Sequence, residues 1–322
     1  MSIKSLIEKY GLLILDGGVG SEIENRGFEI KDSLWSAKAL AERPELLEQV
    51  HYDYFKAGAD IGITATYQAS LAGFVENGYT AEDAEKHIRK AVQLVKSARD
   101  KLYNELSEEE KALRPYPLVV GSLGPYAAYF ADGSEYTGYN SNVGADDFKE
   151  FHKSRIEWLI DEGVDALAIE TTPSLTEPLA VLDHLKETHP DVPVWVSFNA
   201  RSNSSLSDGT PIKKAVEAID AYEQVVAIGV NCIEPKFVSS LIAEIKSATD
   251  KYIVVYPNVG LLYDENATRW RWKHLPTEEE EHEKIFKTAS KLWYEEGARF
   301  IGGCCNSTPR DIKAIASWAR EE

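Results

Sequence analysis

The chemistry-bearing residues of this chain begin with its three cysteines, Cys232 and the adjacent pair Cys304–Cys305. Three is an odd number, and sequence neighbours pair badly because the ring is strained, so the set does not read as a disulfide framework. Left as thiols, they are soft ligands that suit Zn²⁺ better than magnesium or calcium. Three protein sulfurs leave one tetrahedral corner for a substrate, the mark of a catalytic rather than a structural site. Such a centre carries one net negative charge and polarises a carbonyl poorly. It is suited to taking a fourth thiol as its thiolate at neutral pH. The chemistry this implies is alkyl transfer to a substrate thiol from an activated donor. A sulfonium or a quaternary ammonium qualifies, because each leaves as a neutral molecule. The competing reading is three buried structural thiols, since free cysteine behaves as a small hydrophobe and the spacing is not that of a zinc finger.

Positioning such a trio takes a scaffold that brings distant segments together. Short apolar strands alternate with longer amphipathic stretches along the chain. Strands are expected at Leu12–Leu15, Asp60–Thr66, Leu118–Ser122, Ala166–Glu170, Val192–Phe198, Val225–Val230, Ile253–Tyr256 and Arg299–Ile301. Helices are expected between them. Pro44–Ala57, for example, carries Leu46, Leu47, Val50, Tyr54 and Phe55 near a 3.6-residue period, with Pro44 suited to the first turn and Gly58 to the stop. A recurring phrase, Ala57-Gly-Ala-Asp60, Glu162-Gly-Val-Asp165 and Glu296-Gly-Ala-Arg299, places a glycine at a helix end one turn before a strand. Eight such units predict parallel strands with helical crossovers. The reading is an α/β fold, a (β/α)8 TIM barrel forming one domain over residues 1–322, with an open doubly wound sheet as the alternative.

In such a barrel, active sites collect at the C-terminal ends of the strands. The residues following the eight strands are Asp16-Gly-Gly-Val-Gly20, Thr64-Ala-Thr-Tyr67, Gly121-Ser-Leu-Gly-Pro-Tyr126, Glu170-Thr-Thr-Pro173, Asn199, Asn231-Cys232, Pro257-Asn258 and Gly302-Gly-Cys-Cys305. Every cysteine falls at that end. Strands six and eight lie two positions apart around the ring, so their thiols can converge. Glu170 at the end of an apolar strand needs a partner if buried, either a ligand ammonium or an Arg or Lys from elsewhere. Asp16 follows the first strand and is read as functional over a simple cap of the glycine turn.

The composition is that of an ordinary globular protein, 43% hydrophobic and 27% charged. A net charge of −18 repels phosphate backbones and disfavours nucleic acid as the main partner. No apolar run is long enough for a transmembrane helix, and the N-terminal residues lack the uninterrupted core of a secretory signal. A reducing cytoplasm is the expected compartment. Small-molecule substrates are the expected partners, without nucleic acid or membrane; whether the chain forms a homo-oligomer stays open.

Gly302-Gly-Cys-Cys-Asn-Ser-Thr-Pro309, Gly229-Val-Asn-Cys232, Leu15-Asp-Gly-Gly18 and Asp208-Gly-Thr-Pro211 resemble the homocysteine S-methyltransferase family over nearly the whole chain. Asp32-Ser-Leu-Trp-Ser-Ala-Lys38, Gly124-Pro-Tyr-Ala-Ala-Tyr129 and Ala131-Asp-Gly-Ser-Glu-Tyr136 resemble most the bacterial type that uses S-methylmethionine. The resemblance implies zinc on Cys232, Cys304 and Cys305, with the homocysteine thiol as the fourth ligand. It implies that Asp16 and Glu170 hold the substrate ammonium and that Gly17, Thr64 and Tyr67 line the pocket. Asn231 shapes the site, and Trp35 faces a cationic methyl donor, for which cation–π attraction is the reason. S-methylmethionine is the expected donor, with S-adenosylmethionine and betaine as alternatives. Val259, where a small polar residue is expected, and Asn306-Ser307 depart from the family pattern.

Other residues carry less. Gly17-Gly-Val-Gly20 is neither a phosphate loop nor a dinucleotide fingerprint, and Gly121-Ser-Leu-Gly124 is not a nucleophile elbow. His51 and His152 read as ordinary helical histidines. Trp270-Arg-Trp272 reads as an exposed loop, Glu278–Glu281 as the acidic first turn of a helix. Tyr126, Tyr129, Phe130 and Tyr136 read equally as a donor-pocket wall or as packing. A non-catalytic zinc-binding barrel is the alternative from another class. A Schiff-base lyase is disfavoured because no lysine ends a strand.

Overall fold

A computed structural model describes residues 2–29, 34–130, 133–138, 143–259, 261–264, 269–272 and 279–320. Among the described residues there are ten strands: β1 (Leu13–Ile14), β2 (Ile61–Ile63), β3 (Leu118–Leu123), β4 (Ala166–Thr172), β5 (Val194–Phe198), β6 (Val225–Asn231), β7 (Tyr252–Tyr256), β8 (Leu261–Asp264), β9 (Arg269–Trp272) and β10 (Ala298–Ile301). Eight of them form one sheet in the order β1-β10-β7-β6-β5-β4-β3-β2, every pair parallel. The two edges of that sheet meet. Leu15 bridges to Ile61, and the Asp60 amide donates to the Ile14 carbonyl at 2.7 Å. The fold is therefore a (β/α)8 TIM barrel, and the open doubly wound sheet is ruled out.

All eight expected strands are present, because fully buried parallel strands are written as apolar runs whatever their partners. The helices also follow the sequence. Pro44–Ala57 begins at its proline and stops at Gly58, whose φ is 115°. Glu279–Glu296 begins within the acidic run. Trp270-Arg-Trp272 is not a loop: it belongs to β9, which pairs antiparallel with β8 outside the barrel.

Two apolar layers result. Leu13, Val120, Ala168, Trp195, Val254 and Phe300 are among the side chains that fill the barrel's interior. The larger layer lies between the strands and the surrounding helices. The helix Ile3–Tyr10, absent from the sequence reading, packs Ile3, Leu6 and Ile7 against the inner layer.

Close approach of β6 to β7 depends on one glycine. A Cβ on Gly229 would stand 1.7 Å from the Val254 carbonyl oxygen, and backbone cannot step aside as a side-chain tip can. We expect Gly229→Ala to lower unfolding free energy by about 3 kcal/mol, at the upper end of overpacking costs. The denaturant midpoint against the unaltered chain checks this; an unchanged midpoint would show that the strands can part without cost.

Candidate metal centre and substrate pocket

β7 lies between the two strands that carry the cysteines, and its backbone holds both. The Cys232 amide donates to Tyr256 O at 3.1 Å, Gly302 to Val255 O at 3.1 Å, and Cys304 to Pro257 O at 2.8 Å. The three sulfurs meet as a result: their Sγ atoms all lie within 4.8 Å of one another, with Cys232 and Cys305 at 3.6 Å. Two sulfurs on a tetrahedral ion with bonds of about 2.3 Å stand about 3.8 Å apart, so the trio fits zinc. All three are free thiols. Hydrogen bonds from Cys304 and Cys305, and further from Tyr136, hold the Cys232 thiol well below the usual range despite burial. Its shared proton and growing charge push Cys304 and Cys305 upward.

Backbone strain is concentrated at this end of the barrel. Among the described residues, the non-glycine residues with positive φ are Thr171 (59°), Cys232 (54°) and Asn306 (61°), following or ending β4, β6 and β10. A β-branched residue in this region is a true outlier, and such strain persists only where neighbours enforce it. Asn231 enforces it at Thr171, its Oδ1 accepting from the Thr171 amide at 2.8 Å and its Nδ2 donating to Oγ1 at 2.7 Å. Asn199 Nδ2 donates to the Cys232 carbonyl at 2.9 Å. The Cys305 amide donates to Asn258 Oδ1 at 3.1 Å, and the Asn306 amide to Ser21 Oγ at 2.9 Å.

The two glycine pairs interlock beneath the trio. A Cβ on Gly17 would meet Tyr54 and Ser307, one on Gly18 the Cys304 carbonyl, and one on Gly303 the Ser307 side chain. Ser307 donates to Cys304 O at 2.6 Å and accepts from the Gly18 amide at 3.0 Å. The departures from the family pattern are thereby explained. Ser307 joins the first loop to the last, and Val259 turns its side chain into the outer core while its amide donates to Cys305 O at 3.0 Å.

Two carboxyls stand buried at the same mouth. Asp16 Oδ2 accepts from the Ile63 amide at 2.8 Å, across the β1–β2 seam rather than within the glycine turn. Burial pushes its carboxyl well above the usual range; that amide bond opposes the shift and Glu170 adds to it. Glu170 is held by hydroxyls, not by Arg or Lys: Ser122 donates to Oε1, and Tyr256 to Oε2 at 2.9 Å. Burial raises it to about 7, the two hydroxyls working the other way. Tyr256 also meets Ser197 Oγ at 2.5 Å and accepts from Trp195 Nε1 at 3.2 Å, so the carboxyl rests on a polar stack rising from the barrel interior.

Thr64 is buried, its hydroxyl accepting from the Ser122 amide at 3.0 Å and meeting Thr66 Oγ1 at 2.7 Å. Burial raises the Tyr67 hydroxyl well above its usual range, as do the charges of Glu135, Cys232 and Glu170 close to it. Trp35 opens a short 3₁₀ turn, Trp35–Ala37, but its side chain lies outside the described residues. Of the aromatics after β3, Tyr126, Tyr129 and Phe130 pack on one another and on Phe151. Tyr136 alone reaches the trio, its hydroxyl 3.5 Å from Cys232 Sγ. Sequence reasoning missed Ser122 and Tyr256 as Glu170's partners. Their positions near the ends of β3 and β7 were the available signal.

The sequence model described as homocysteine S-methyltransferase matches residues 13–319. This chain belongs to the homocysteine S-methyltransferase family. It is 42% identical to homocysteine S-methyltransferase YbgG of Bacillus subtilis, over 99% of this chain and 98% of that protein. It is likewise 42% identical to homocysteine S-methyltransferase of Escherichia coli, over 97% of each. The metallated crystal form of the E. coli homocysteine methyltransferase MmuM superposes with a TM-score of 0.83 at 39% identity, covering 98% of this chain and 99% of that one. Membership thus rests on almost the full barrel. No helix among the described residues is long and apolar enough to cross a membrane.

The Glu170 carboxyl gives a stability signature. Its folded pKa of about 7 lies above the ordinary glutamate value of 4.5. The folded chain therefore binds the proton more tightly than the unfolded chain. Its contribution is lost as pH rises from about 4.5 through about 7. We expect Glu170→Gln to remove that slope and to make the substrate-free protein more stable than the unaltered chain at pH 8. Melting curves from pH 5 to 8 measure it, and parallel profiles for the two proteins would contradict it.

Proposed function

We propose that the protein transfers a methyl group from S-methylmethionine to the thiol of homocysteine, with zinc on Cys232, Cys304 and Cys305, producing two molecules of methionine. The observation that carries this is the sulfur trio, three thiols from two strand ends gathered at spacings that suit one tetrahedral ion. Bound zinc would supply the acidity that lets a fourth thiol enter as its thiolate at neutral pH.

The chain's own residues do the rest. Asp16 and Glu170 are buried at the mouth, where an ammonium is the natural counter-charge for costly carboxylates. They hold the homocysteine ammonium and so point its thiol at the cysteines. Gly17 admits the tight turn beside Tyr54 that brings Asp16 there. Thr64 and Tyr67 line the pocket between the two carboxyls and Cys232, and Asn231 positions Thr171 and the backbone entering Cys232. We assign Trp35 to the sulfonium donor, because an indole attracts a cation through its π face. Attack forms the new S–CH₃ bond as the donor's S–CH₃ bond breaks. The electron pair stays on the donor sulfur, which leaves as the neutral thioether of methionine. The thiol proton passes to solvent when homocysteine binds, so no general base is required during transfer. The entire chain, 1–322, serves as one homocysteine-binding barrel domain. A zinc-storing barrel would have no use for two buried carboxyls beside the metal, which is why catalysis is the better reading.

The test is direct. Zinc-quantified protein is incubated with homocysteine and, separately, S-methylmethionine, S-adenosylmethionine and betaine, and methionine is measured. We expect the fastest turnover with S-methylmethionine. Chelation or Cys232→Ser should remove bound zinc and lower turnover at least about 10³-fold, as loss of a group acting only with its partners does. Failure of every donor with zinc present would overturn the assignment, and faster turnover with betaine would overturn the donor.

A further inference from the structure

Behind the pocket wall lies a group of charges that the proposed reaction leaves unused. Arg155, on the helix Ala145–Asp161, is 1% exposed, as is His152 one turn earlier on the same helix. Glu177, on the helix Thr176–Thr188, is fully buried. Burying a guanidinium is tolerated only if its hydrogens find acceptors. Arg155 Nη1 donates to Thr66 O at 3.1 Å and Tyr67 O at 3.0 Å, and Nη2 to Gly124 O at 2.8 Å. All three carbonyls belong to the loops leaving β2 and β3 at the catalytic end. Those loops touch: a Cβ on Gly124 would stand 2.2 Å from Tyr67 O.

The same guanidinium is oriented from behind. Its Nη2 also meets His152 Nδ1 at 2.7 Å, and His152 Nε2 meets Glu177 Oε1 at 2.7 Å. A guanidinium has no acceptor, so Nδ1 must present its lone pair and Nε2 must carry the hydrogen. His152 is therefore neutral and donates to Glu177. Burial, which pushes its pKa down, agrees with this. Glu177 Oε1 in turn accepts from the Tyr126 amide at 2.6 Å, in the β3 loop once more. His152 is thus not the ordinary helical histidine expected from the sequence. It is the middle of a relay whose two ends grip the rim of the barrel.

The geometry points to Arg155 as a positioning residue: its guanidinium fixes the Thr66–Tyr67 and Gly124 backbones and thereby the place of the Tyr67 side chain beside the sulfur trio. This inference rests on the proposed function in treating Tyr67 as a wall of the thiol pocket. Lysine cannot replace arginine here. One ammonium has a single centre, whereas the guanidinium fork reaches three carbonyls and an imidazole at once.

The experiment is a double-mutant cycle on zinc-loaded protein with homocysteine and S-methylmethionine. Arg155→Lys should retain one zinc per chain and melt within a few degrees of the unaltered protein. Its kcat should fall about 10- to 100-fold, the scale of a misplaced pocket group, while KM for homocysteine stays within about threefold. In a Tyr67→Ala background the same substitution should cost less than about threefold, because residues acting through one another are not additive. Equal losses in both backgrounds, or an Arg155→Lys protein as fast as the unaltered one, would overturn the inference. Should Arg155→Lys fail to fold or to hold zinc, His152 supplies the second comparison. His152→Gln can still accept from Arg155 and donate to Glu177, so its kcat should stay within about threefold, whereas His152→Leu should show the loss. Equal behaviour of these two would also overturn it. An unaltered protein that transfers no methyl group would instead defeat the functional reading, and this inference with it.

Discussion

The backbone of one strand, β7, fixes the geometry of the whole centre. Its carbonyls at Val255 and Tyr256, and that of Pro257 directly after it, receive the amides of Gly302, Cys232 and Cys304. Cysteines some seventy positions apart are thereby referenced to the same three peptide units. Close approach requires Gly229 on one side, where a Cβ would strike Val254 O, and Gly302 on another, where it would strike Leu15 and Asp16 O. The sulfur spacing follows from backbone register rather than from flexible side chains, which is how a rigid scaffold holds a reactive site within a few tenths of an ångström.

Around that reference the mouth accumulates features that destabilise a folded chain. Three residues hold left-handed backbone without the freedom of glycine. Two carboxyls are buried within range of each other's charge. Three sulfurs crowd within 4.8 Å of one another, which pushes one thiol down in pKa and the other two up. Each is unfavourable alone, and the last two are relieved by what the proposed reaction brings, ammonium groups for the acids and a dication for the sulfurs. The tension is held by the two apolar layers and by side-chain amides, with Asn231, Asn199 and Asn258 each fastening one strained segment. This is the expected division between a stabilising scaffold and a site that departs from local rules.

The polar stack Trp195–Tyr256–Glu170–Ser122 links these two halves. It rises from the packed interior, where Trp195 is wholly buried, and ends at a carboxyl facing the mouth. Glu170 is kept in place by neutral donors, so its charge remains available to a ligand. An arginine or lysine in that place would have neutralised it. The guanidinium of Arg155, whose charge reaches Glu170, is engaged with backbone carbonyls and His152 instead.

The eight strands, the helix boundaries at Pro44 and Gly58, and the placing of all three cysteines at strand ends were legible in the residue pattern. These are local matters: apolar runs, helical period and the conformational preferences of proline and glycine are written residue by residue. The motifs around Cys232 and Cys304–Cys305 also showed the family, because a metal site tolerates few residue types. Folding in three dimensions set the rest: Glu170 rests on Ser122 and Tyr256, Asp16 fastens the barrel seam, Tyr136 reaches Cys232, and His152 is part of a buried relay. Each of these pairs residues tens of positions apart, and nothing in a one-dimensional pattern states which side chains a closed ring of strands will turn toward one another. The antiparallel pairing of β8 with β9, apart from the eight-stranded sheet, is a further contact of this kind.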